Sequence, residues 1–335
     1  MLPTGAEDST EKFRVQPEPQ RQAGAYHCRH FHVAGIHVRV ESDFDLNSVP
    51  FKDELTAFAA GAQGGDNVTL RHCFYMPDFS AEELGAVLYR KAPWIISRKN
   101  GNWFYRGVSS DGDDPELHRI AVFNSHHTHA TVYSPPGYAN HLKTVGWHSL
   151  SLLPTDQIWL APVLADRGAV LLHSGAAILN GRGLMFVGHS SAGKSTTMTM
   201  LKDRAEILCD DRNVARRWTS GWRLHGTWSH GDVADVSSTS APLHAILFLQ
   251  QDTHNDIVPI TDRKMRWRLL LATLIKPMVT AEWWRKELDV IERIVNEVPC
   301  YMMRFDKSGA IVGKLEELTR GSGPVHGLSE TRAGP

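Results

Sequence analysis

The stretch GHSSAGKST, from Gly188 to Thr196, constrains the fold of this chain more than any other. It follows the apolar run Leu184–Val187 and leads into residues with helical spacing. The pattern Gly188-x4-Gly193-Lys194-Ser195 fits the Walker A motif, a phosphate-binding loop that lies between a strand and a helix. A chance match in a turn rich in glycine and serine is the alternative. The strand before the loop and the helix after it favour phosphate binding.

Phosphate binding explains the residue types at the motif positions of this loop. Gly188 and Gly193 permit backbone dihedrals in which successive N–H groups point inward at phosphate oxygens. Lys194 would bring a positive charge to the β- and γ-phosphates, the Ser195 hydroxyl can ligate Mg²⁺, and the helix N-terminus adds its own partial charge. The sequence therefore predicts ATP and Mg²⁺ as cofactors. The predicted cofactor-binding residues are Gly188, His189, Ser190, Ser191, Ala192, Gly193, Lys194, Ser195 and Thr196.

Two adjacent carboxylates, Asp210 and Asp211, follow the apolar stretch Ala205–Leu208. A carboxylate at the tip of a strand beside the loop can hold a metal ion or accept a proton. Because side chains alternate along a strand, two neighbouring aspartates can divide these tasks. An ordinary aspartate-rich turn is the alternative reading.

The run from His173 to Arg212, HSGAAILNGRGLMFVGHSSAGKSTTMTMLKDRAEILCDDR, resembles the catalytic domain of HPr kinase/phosphorylase and its divergent relatives. The nucleotide-binding core of that family is similar in fold to that of phosphoenolpyruvate carboxykinases. The resemblance implies that Ser195 and Asp211 bind the metal, and that Asp210 is the base that takes a proton from the substrate hydroxyl. It leaves open which aspartate has which task. His173 would lie behind these groups or face the γ-phosphate, although a lone histidine on a strand is more often structural.

Three features depart from the bifunctional enzyme. Thr196 stands where that family has a glutamate, the glycine- and arginine-rich signature is replaced by WRLHGTWSHGDVAD, and the N-terminal half is unlike the usual regulatory domain. The resemblance is therefore to divergent HPr-kinase-like proteins. It implies a magnesium-dependent kinase that transfers the γ-phosphate of ATP to a hydroxyl, best matched by a serine of a peptide or small protein. The alternatives are an ATP-binding sensor or assembly module with little turnover, and a carboxykinase-like metabolic enzyme.

The pattern of apolar residues predicts an α/β fold in two parts. Residues 25–150 contain short alternating segments typical of strands, with Asn100-Gly101 indicating a hairpin turn. Residues 151–320 alternate strands and helices and form the predicted P-loop-containing, HPr kinase/carboxykinase-like domain. Residues 1–24 and 321–335 lack periodicity, which predicts flexible ends.

Composition and charge limit the classes of partner that we expect this chain to bind. The chain has 335 residues and a formal charge of −1, which gives no overall field for nucleic acid or a membrane surface. The four cysteines are far apart in the sequence, which fits a reducing cytoplasm better than a disulfide framework. No apolar run approaches the length of a membrane span. We expect a soluble cytoplasmic protein, with homo-oligomerisation suggested by the relatives.

Several other clusters are open to two interpretations. The loop HGTWSHGD is predicted to form a wall of the site through His225, His230 and Asp232, or to be a solvated loop. Alternating histidines at 30 and 32, and at 127 and 129, share a strand face but supply only two metal ligands each. Tryptophans at 267, 283 and 284 are interpreted as core residues. The basic residues at 263, 264, 266 and 268 are interpreted as a solvated helix face.

Overall fold

The computed structural model describes residues 26–62, 64–109, 116–276 and 280–320. The predicted flexible ends lie outside these residues. Within them there are sixteen strands, β1–β16: His27–Val33, Ile36–Ser42, Asn67–Cys73, Ala86–Lys91, Trp94–Lys99, Asn102–Val108, Leu117–Phe123, His129–Tyr133, Ala169–Leu179, Arg182–Val187, Glu206–Cys209, Arg212–Trp218, Gly221–His225, Ser240–Gln251, Asp256–Pro259 and Cys300–Phe305. The eight α-helices, α1–α8, are Asp53–Thr56, Ala81–Leu84, Tyr138–Val145, Gln157–Ala165, Lys194–Leu201, Arg263–Thr273, Ala281–Glu297 and Ile311–Arg320.

The first eight strands form one mixed sheet in the order β1-β2-β3-β8-β7-β6-β5-β4. The predicted hairpin is present between β5 and β6, and both turn residues have positive φ, 50° at Asn100 and 80° at Gly101. This sheet confirms the β-rich N-terminal region. One of its faces is buried in a large apolar core, while the other carries a smaller cluster around Phe104 and Val122.

The remaining strands form a second mixed sheet in which β10 pairs with both β9 and β14. Because β9, β12, β13 and β14 are themselves joined in that order, these five strands close into a ring. Strands β10, β14 and β16 run parallel, so their carboxyl ends lie at the same edge. Helices α5 and α8 bury apolar residues against one face of this sheet, and α6 and α7 against the other. The chain is therefore a mixed α/β protein with two large sheets, as the sequence predicted.

Three elements differ from the expectation from sequence. Gly175 is a local turn signal that predicts two strands within Ala169–Leu179, but the segment is one continuous strand. Gly175 does not interrupt it, because the glycine and its neighbours pair with β10 without a break, Gly175 opposite Phe186. Met198 of α5 fills the space beside the glycine, with its sulfur 3.3 Å from where a Cβ would be. Helix α3 and strand β15 had no predicted counterpart. Both are short and lack the apolar periodicity on which prediction depends.

The division into domains at residue 150 stays a prediction. Helix α4 is buried on nearly every side, and most of its apolar residues lie in the same core as the N-terminal sheet. That core also contains Leu171 of β9 and Val214 of β12. One continuous core therefore spans the predicted boundary. Among the described residues, no helix has the length and apolar character needed to cross a bilayer.

Candidate active site

The loop 188–193 joins the end of β10 to the start of α5, in the strand–loop–helix order that the motif requires. Gly193 immediately precedes the helix with φ +102°, and a Cβ there would come within 2.6 Å of the Phe305 ring. A Cβ on Gly188 would come within 2.5 Å of the Ala192 Cβ. Side chains are therefore excluded at both motif glycines, for reasons of backbone conformation at one and close packing at both.

The loop lies at the carboxyl edge of the second sheet. Gln251 at the end of β14 donates to the Ser191 carbonyl at 2.8 Å, and Phe305 at the end of β16 contacts Gly193. Crevices at this edge are where α/β sheets bind ligands, because loops and helix N-termini converge there.

Lys194 folds back over the loop. Its Nζ donates to the carbonyl oxygens of Gly188 and His189, both at 3.1 Å. Burial lowers the pKa of Lys194, and the negative charges of Asp211 and Asp210 oppose this shift. The ammonium group is thus held by two backbone carbonyls, which an anionic ligand could replace without any change of fold.

Ser195 connects the helix to the aspartate pair. Its Oγ donates to Oδ2 of Asp210 at 3.0 Å. Asp210 is only 1% exposed and also accepts from the backbone N–H groups of Gly231, at 2.5 Å, and Val233, at 2.9 Å. Three donors compensate the burial of this carboxylate, which would otherwise be costly. The motif serine and the carboxylate after β11 therefore form one unit.

Asp211 points to different partners. Its carboxylate lies 2.7 Å from a guanidinium nitrogen of Arg212 and 3.2 Å from Nδ1 of His173. His173 and Arg212 are paired directly across β9 and β12, which brings both side chains to the same carboxylate. Burial, and next the charge of Lys194, lower the pKa of His173. His173 is therefore neutral at pH 7, and Lys194 is close enough to influence it.

The loop after β13 covers Asp210 and is itself held by the N-terminal half. Nε2 of His230 lies 2.9 Å from Oε1 of Glu54, a residue of α1, and Nδ1 lies 2.9 Å from the carbonyl of Gly231. Phe58 packs edge-on against Trp228 with ring centroids 5.5 Å apart. His230 and its neighbours therefore lie over Asp210, as the predicted wall would. Contacts with Glu54 and Phe58 of the N-terminal half hold this loop in place.

The other two residues predicted for this wall have different surroundings. His225 is buried at the end of β13, and burial lowers its pKa to about 3. His225 is therefore a neutral core residue. The glycines near it in the sequence predicted a loop position instead. Asp232 is exposed on the loop.

Sequence reasoning missed Glu54 and Asp156. Asp156 accepts five hydrogen bonds, from the N–H groups of Leu150 and Ser151, the Ser151 hydroxyl and the indoles of Trp159 and Trp228. It thereby fixes the site loop through Trp228. Both residues bond partners that are far away in the sequence, and neither belongs to a recognisable motif. The one sequence signal for Asp156 was that Thr155-Asp156 precedes a helix.

Comparisons with known proteins give a partial match. The family model described as "SynChlorMet cassette protein ScmC" matches residues 156–320, slightly less than half of the chain, and that range includes the loop and both aspartates. No curated protein matches. A solved structure of the Hpr(Ser) kinase/phosphatase from Coxiella burnetii is 12% identical, over 45% of this chain and 88% of that chain, with a TM-score of 0.27. A similarity this weak carries no argument about activity.

Proposed function

We propose that this chain is an ATP- and Mg²⁺-dependent kinase of the HPr-kinase-like group that transfers the γ-phosphate to a hydroxyl, best matched by a serine of a peptide or small protein. The observation that carries the proposal is the hydrogen bond between Ser195 and Asp210. It joins the residue after the motif lysine to a buried carboxylate at a strand end, the pairing that phosphate-binding loops use to hold a metal ion.

The loop binds the phosphates in this proposal. Residues 188–196 surround the triphosphate with backbone N–H groups, and the N-terminus of α5 adds a favourable partial charge. Lys194 exchanges its two carbonyl partners for phosphate oxygens, which neutralises part of their charge. Phosphoryl transfer depends mainly on such positioning and neutralisation, so the chain needs no covalent intermediate.

The residues present fit magnesium. The Ser195 hydroxyl and the Asp210 carboxylate are hard oxygen donors 3.0 Å apart, and Mg²⁺ is usually bound by one or two such groups together with substrate phosphates. When bound, the ion would neutralise charge on the transferred phosphoryl group. Ser195 therefore keeps its predicted role, but the contacts favour Asp210 over Asp211 as its companion ligand.

Asp211 then takes the role of the base. Asp210 already accepts three hydrogen bonds, whereas the carboxylate of Asp211 is bonded only through side chains of Arg212 and His173 in the described contacts. We propose that Asp211 orients the acceptor hydroxyl and takes its proton. Neutral His173 and Arg212 hold the carboxylate in place.

Asparagine variants test this division. Asp211→Asn should bind Mg·ATP normally and lose at least about a hundredfold in transfer, because a positioned base contributes that much. Asp210→Asn should weaken ATP binding in the presence of Mg²⁺ and change it little in EDTA. Asp203→Asn, on the exposed turn after α5, is the matched control. Binding is measured by calorimetry, and transfer with γ-labelled ATP and a lysate of the native host. Label that appears only in inorganic phosphate would refute the kinase proposal.

The saturation of Asp210 by three donors also favours a second candidate, an ATP-binding sensor or assembly module with little turnover. A sensor would keep its ATP response in Asp211→Asn, because no proton is transferred. The kinase would lose all labelled product. The same variant therefore separates the two functions.

A further inference from the structure

A groove of about 300 Å³ lies on the face of the N-terminal sheet opposite the large core. The segment between β3 and β4 forms one wall through Phe79 and Leu84, and strands β4–β7 form the floor. Most of its lining is apolar, but Arg90 and Arg106 also line it. None of these residues takes part in the candidate active site.

The two arginines belong to one row across four strands. Arg90 pairs with Ile95, Ile95 with Arg106, and Arg106 with Ile120, so all four side chains share the groove face. Burial, and next the charge of Arg90, lower the pKa of Arg106. Its Nε is buried with no hydrogen-bond partner. Two neighbouring guanidinium groups, one of them half-buried with an unpartnered Nε, favour an anionic ligand in this groove.

The described residues do not provide that anion. Asp78 also lines the groove, but no ion pair within 4 Å joins a described carboxylate to Arg90 or Arg106. Elsewhere in this chain, partly buried arginines such as Arg167 and Arg216 are paired with an aspartate. The groove is therefore complementary to a negatively charged ligand that also has apolar surface.

The groove opens beside an exposed sheet edge. Strand β4 is the last strand of the first sheet, and all six of its residues are exposed. They include Val87, Leu88 and Tyr89 at 47%, 55% and 41% exposure. Edge strands usually carry charges or are covered, because an exposed apolar edge pairs readily with another chain. Extended peptides use such edges, with backbone hydrogen bonds giving affinity and side-chain pockets giving specificity.

We propose that β4 and this groove bind an extended peptide segment, which adds a strand to the sheet edge and places a carboxylate opposite Arg90. Apolar side chains on the same face of the peptide contact the groove beside Val87. If the proposed function holds, the peptide acceptor of the kinase is recruited at this surface. Only this role as an acceptor site rests on the kinase proposal. The binding site itself does not depend on phosphate transfer.

Fluorescence anisotropy with a defined probe tests the site. The probe is a fluorescein-labelled peptide of β-branched residues with glutamates at alternate positions. Two control peptides are used. In one, glutamine replaces each glutamate; in the other, alternate backbone nitrogens are methylated. We expect the glutamine version to bind at least about tenfold more weakly, because it loses charge-assisted hydrogen bonds. We expect the N-methylated version not to bind, because it cannot pair with β4.

Two arginine variants locate the probe. Arg90→Met keeps the aliphatic stem and removes the charge that faces the peptide carboxylate. Because Arg90 is exposed, the variant should fold, and it should bind the glutamate and glutamine probes equally. Arg98→Met is the matched control, because Arg98 lies on β5 but on the opposite face, over the Trp103 ring. It should leave binding unchanged. Lys194→Ala should lose transfer but leave probe binding unchanged, whereas absence of transfer by the unaltered protein, with probe binding retained, would count against the kinase alone.

Three results would overturn the proposal. The first is equal binding of the glutamate and glutamine probes by the unaltered protein. The second is a glutamate preference that survives Arg90→Met, which would place the probe elsewhere. The third is binding that appears only after Asp111, Asp113 and Asp114, in the sequence between β6 and β7 and outside the described residues, are replaced by asparagine. That result would make the chain's own acidic segment the occupant of the groove.

Discussion

At the scale of single residues, His230 has an unusual hydrogen-bonding requirement. Its two ring nitrogens lie 2.9 Å from acceptors, the Glu54 carboxylate and the Gly231 carbonyl. An imidazole can donate from both nitrogens only when it is protonated. Burial alone would lower the pKa of His230, but the bonds to Glu54 and Gly231 outweigh burial and raise the pKa. These contacts therefore favour the protonated form of His230, beside the proposed magnesium ligand.

This pair should make stability depend on pH. The bond to His230 lowers the pKa of Glu54, and the pKa of His230 is raised. The contribution of the pair is therefore complete between the ordinary values, pH 4.5 and pH 6.5, and is lost as the pH rises through the raised pKa of His230. We expect His230→Gln to cost about 1 kcal/mol near the middle of that window, because both partners are partly exposed.

Urea unfolding at pH 6 and pH 9 measures the effect. The difference between the native protein and His230→Gln should shrink toward zero at the higher pH. His254→Gln is the control, because that side chain is 86% exposed beside Asp252. A difference that stays constant between the two pH values would show that His230 is held as the neutral form.

Asp156 supports a second prediction. Its carboxylate is buried and accepts five hydrogen bonds, two of them from the indoles of Trp159 and Trp228. In Asp156→Asn an amide N–H₂ group faces donors, and several of these donors are left unpaired. We expect a loss of about 3 kcal/mol in the free energy of unfolding. Chemical denaturation measures it, with Asp203→Asn expected to change stability by less than about 0.5 kcal/mol. An equally small change in Asp156→Asn would contradict the hydrogen-bonding described for this residue.

At the scale of elements, the junction between the loop and α5 does not tolerate a side chain. Gly193 has φ +102°, and an added Cβ would lie 2.6 Å from Phe305. We expect Gly193→Ala to lower stability by about 2 kcal/mol, from backbone strain and from displacement of the ring, and to weaken ATP binding because the loop shifts. Thermal unfolding and nucleotide titration measure the two effects.

Gly313 is the matched control for this substitution. It lies exposed in α8, with nothing within 4 Å of an added Cβ. Because alanine favours a helix over glycine, Gly313→Ala should raise stability by about 0.5 to 1 kcal/mol. Two alanine substitutions of opposite sign would tie the cost at Gly193 to its conformation and packing. Destabilisation of the same size at both positions would contradict that explanation.

Elements with strong local signals were predicted from the sequence. The β5–β6 hairpin follows from Asn100-Gly101, and α7 follows from helical spacing of apolar residues that continues over seventeen residues. The continuous β9 could not be predicted, because Gly175 is a turn signal locally and only its pairing with Phe186 of β10 shows why the strand continues. Local patterns thus predict where elements form, whereas contacts between elements decide where some of them end.

At the scale of the whole molecule, the two sheets are joined by more than a linker. Their shared core includes α4, and Asp66 from the loop before β3 contacts Arg167 and Arg216 of the second half. Arg216 also donates to the Ala34 carbonyl at 2.7 Å. We therefore expect the halves to unfold together.

The candidate site shows the same division between local and distant signals. The order of loop, lysine, serine and aspartates was visible in residues 188–211, because a motif of fixed spacing encodes it. The pairing of Ser195 with Asp210, and the support from Glu54 and Asp156, were not visible. These contacts depend on how β11, the loop after β13 and the N-terminal half meet. Their residues are far apart in the sequence and have no fixed spacing, so no motif reveals them.

The clamp at Asp66 gives a prediction for the whole molecule. Arg167 binds its two carboxylate oxygens at 2.5 and 2.6 Å. Burial tends to raise the pKa of Asp66, but the hydrogen bonds and charges of Arg167 and Arg216 outweigh burial and lower the pKa. The stability that Asp66 contributes is therefore complete above its ordinary pKa of 3.8 and is lost as the pH falls through its lower folded value.

We expect Asp66→Asn to cost about 2 kcal/mol at pH 7, because a carboxylate shared by two arginines is removed, and to cost progressively less below about pH 4. Asp289→Asn, on the exposed face of α7, should have no such effect. Urea unfolding is followed by tryptophan fluorescence and by far-ultraviolet circular dichroism. Coincident transitions that move together in Asp66→Asn would support one cooperative unit. If the variant shifts only one of two separable transitions, the halves fold independently, and the shared core does not couple them.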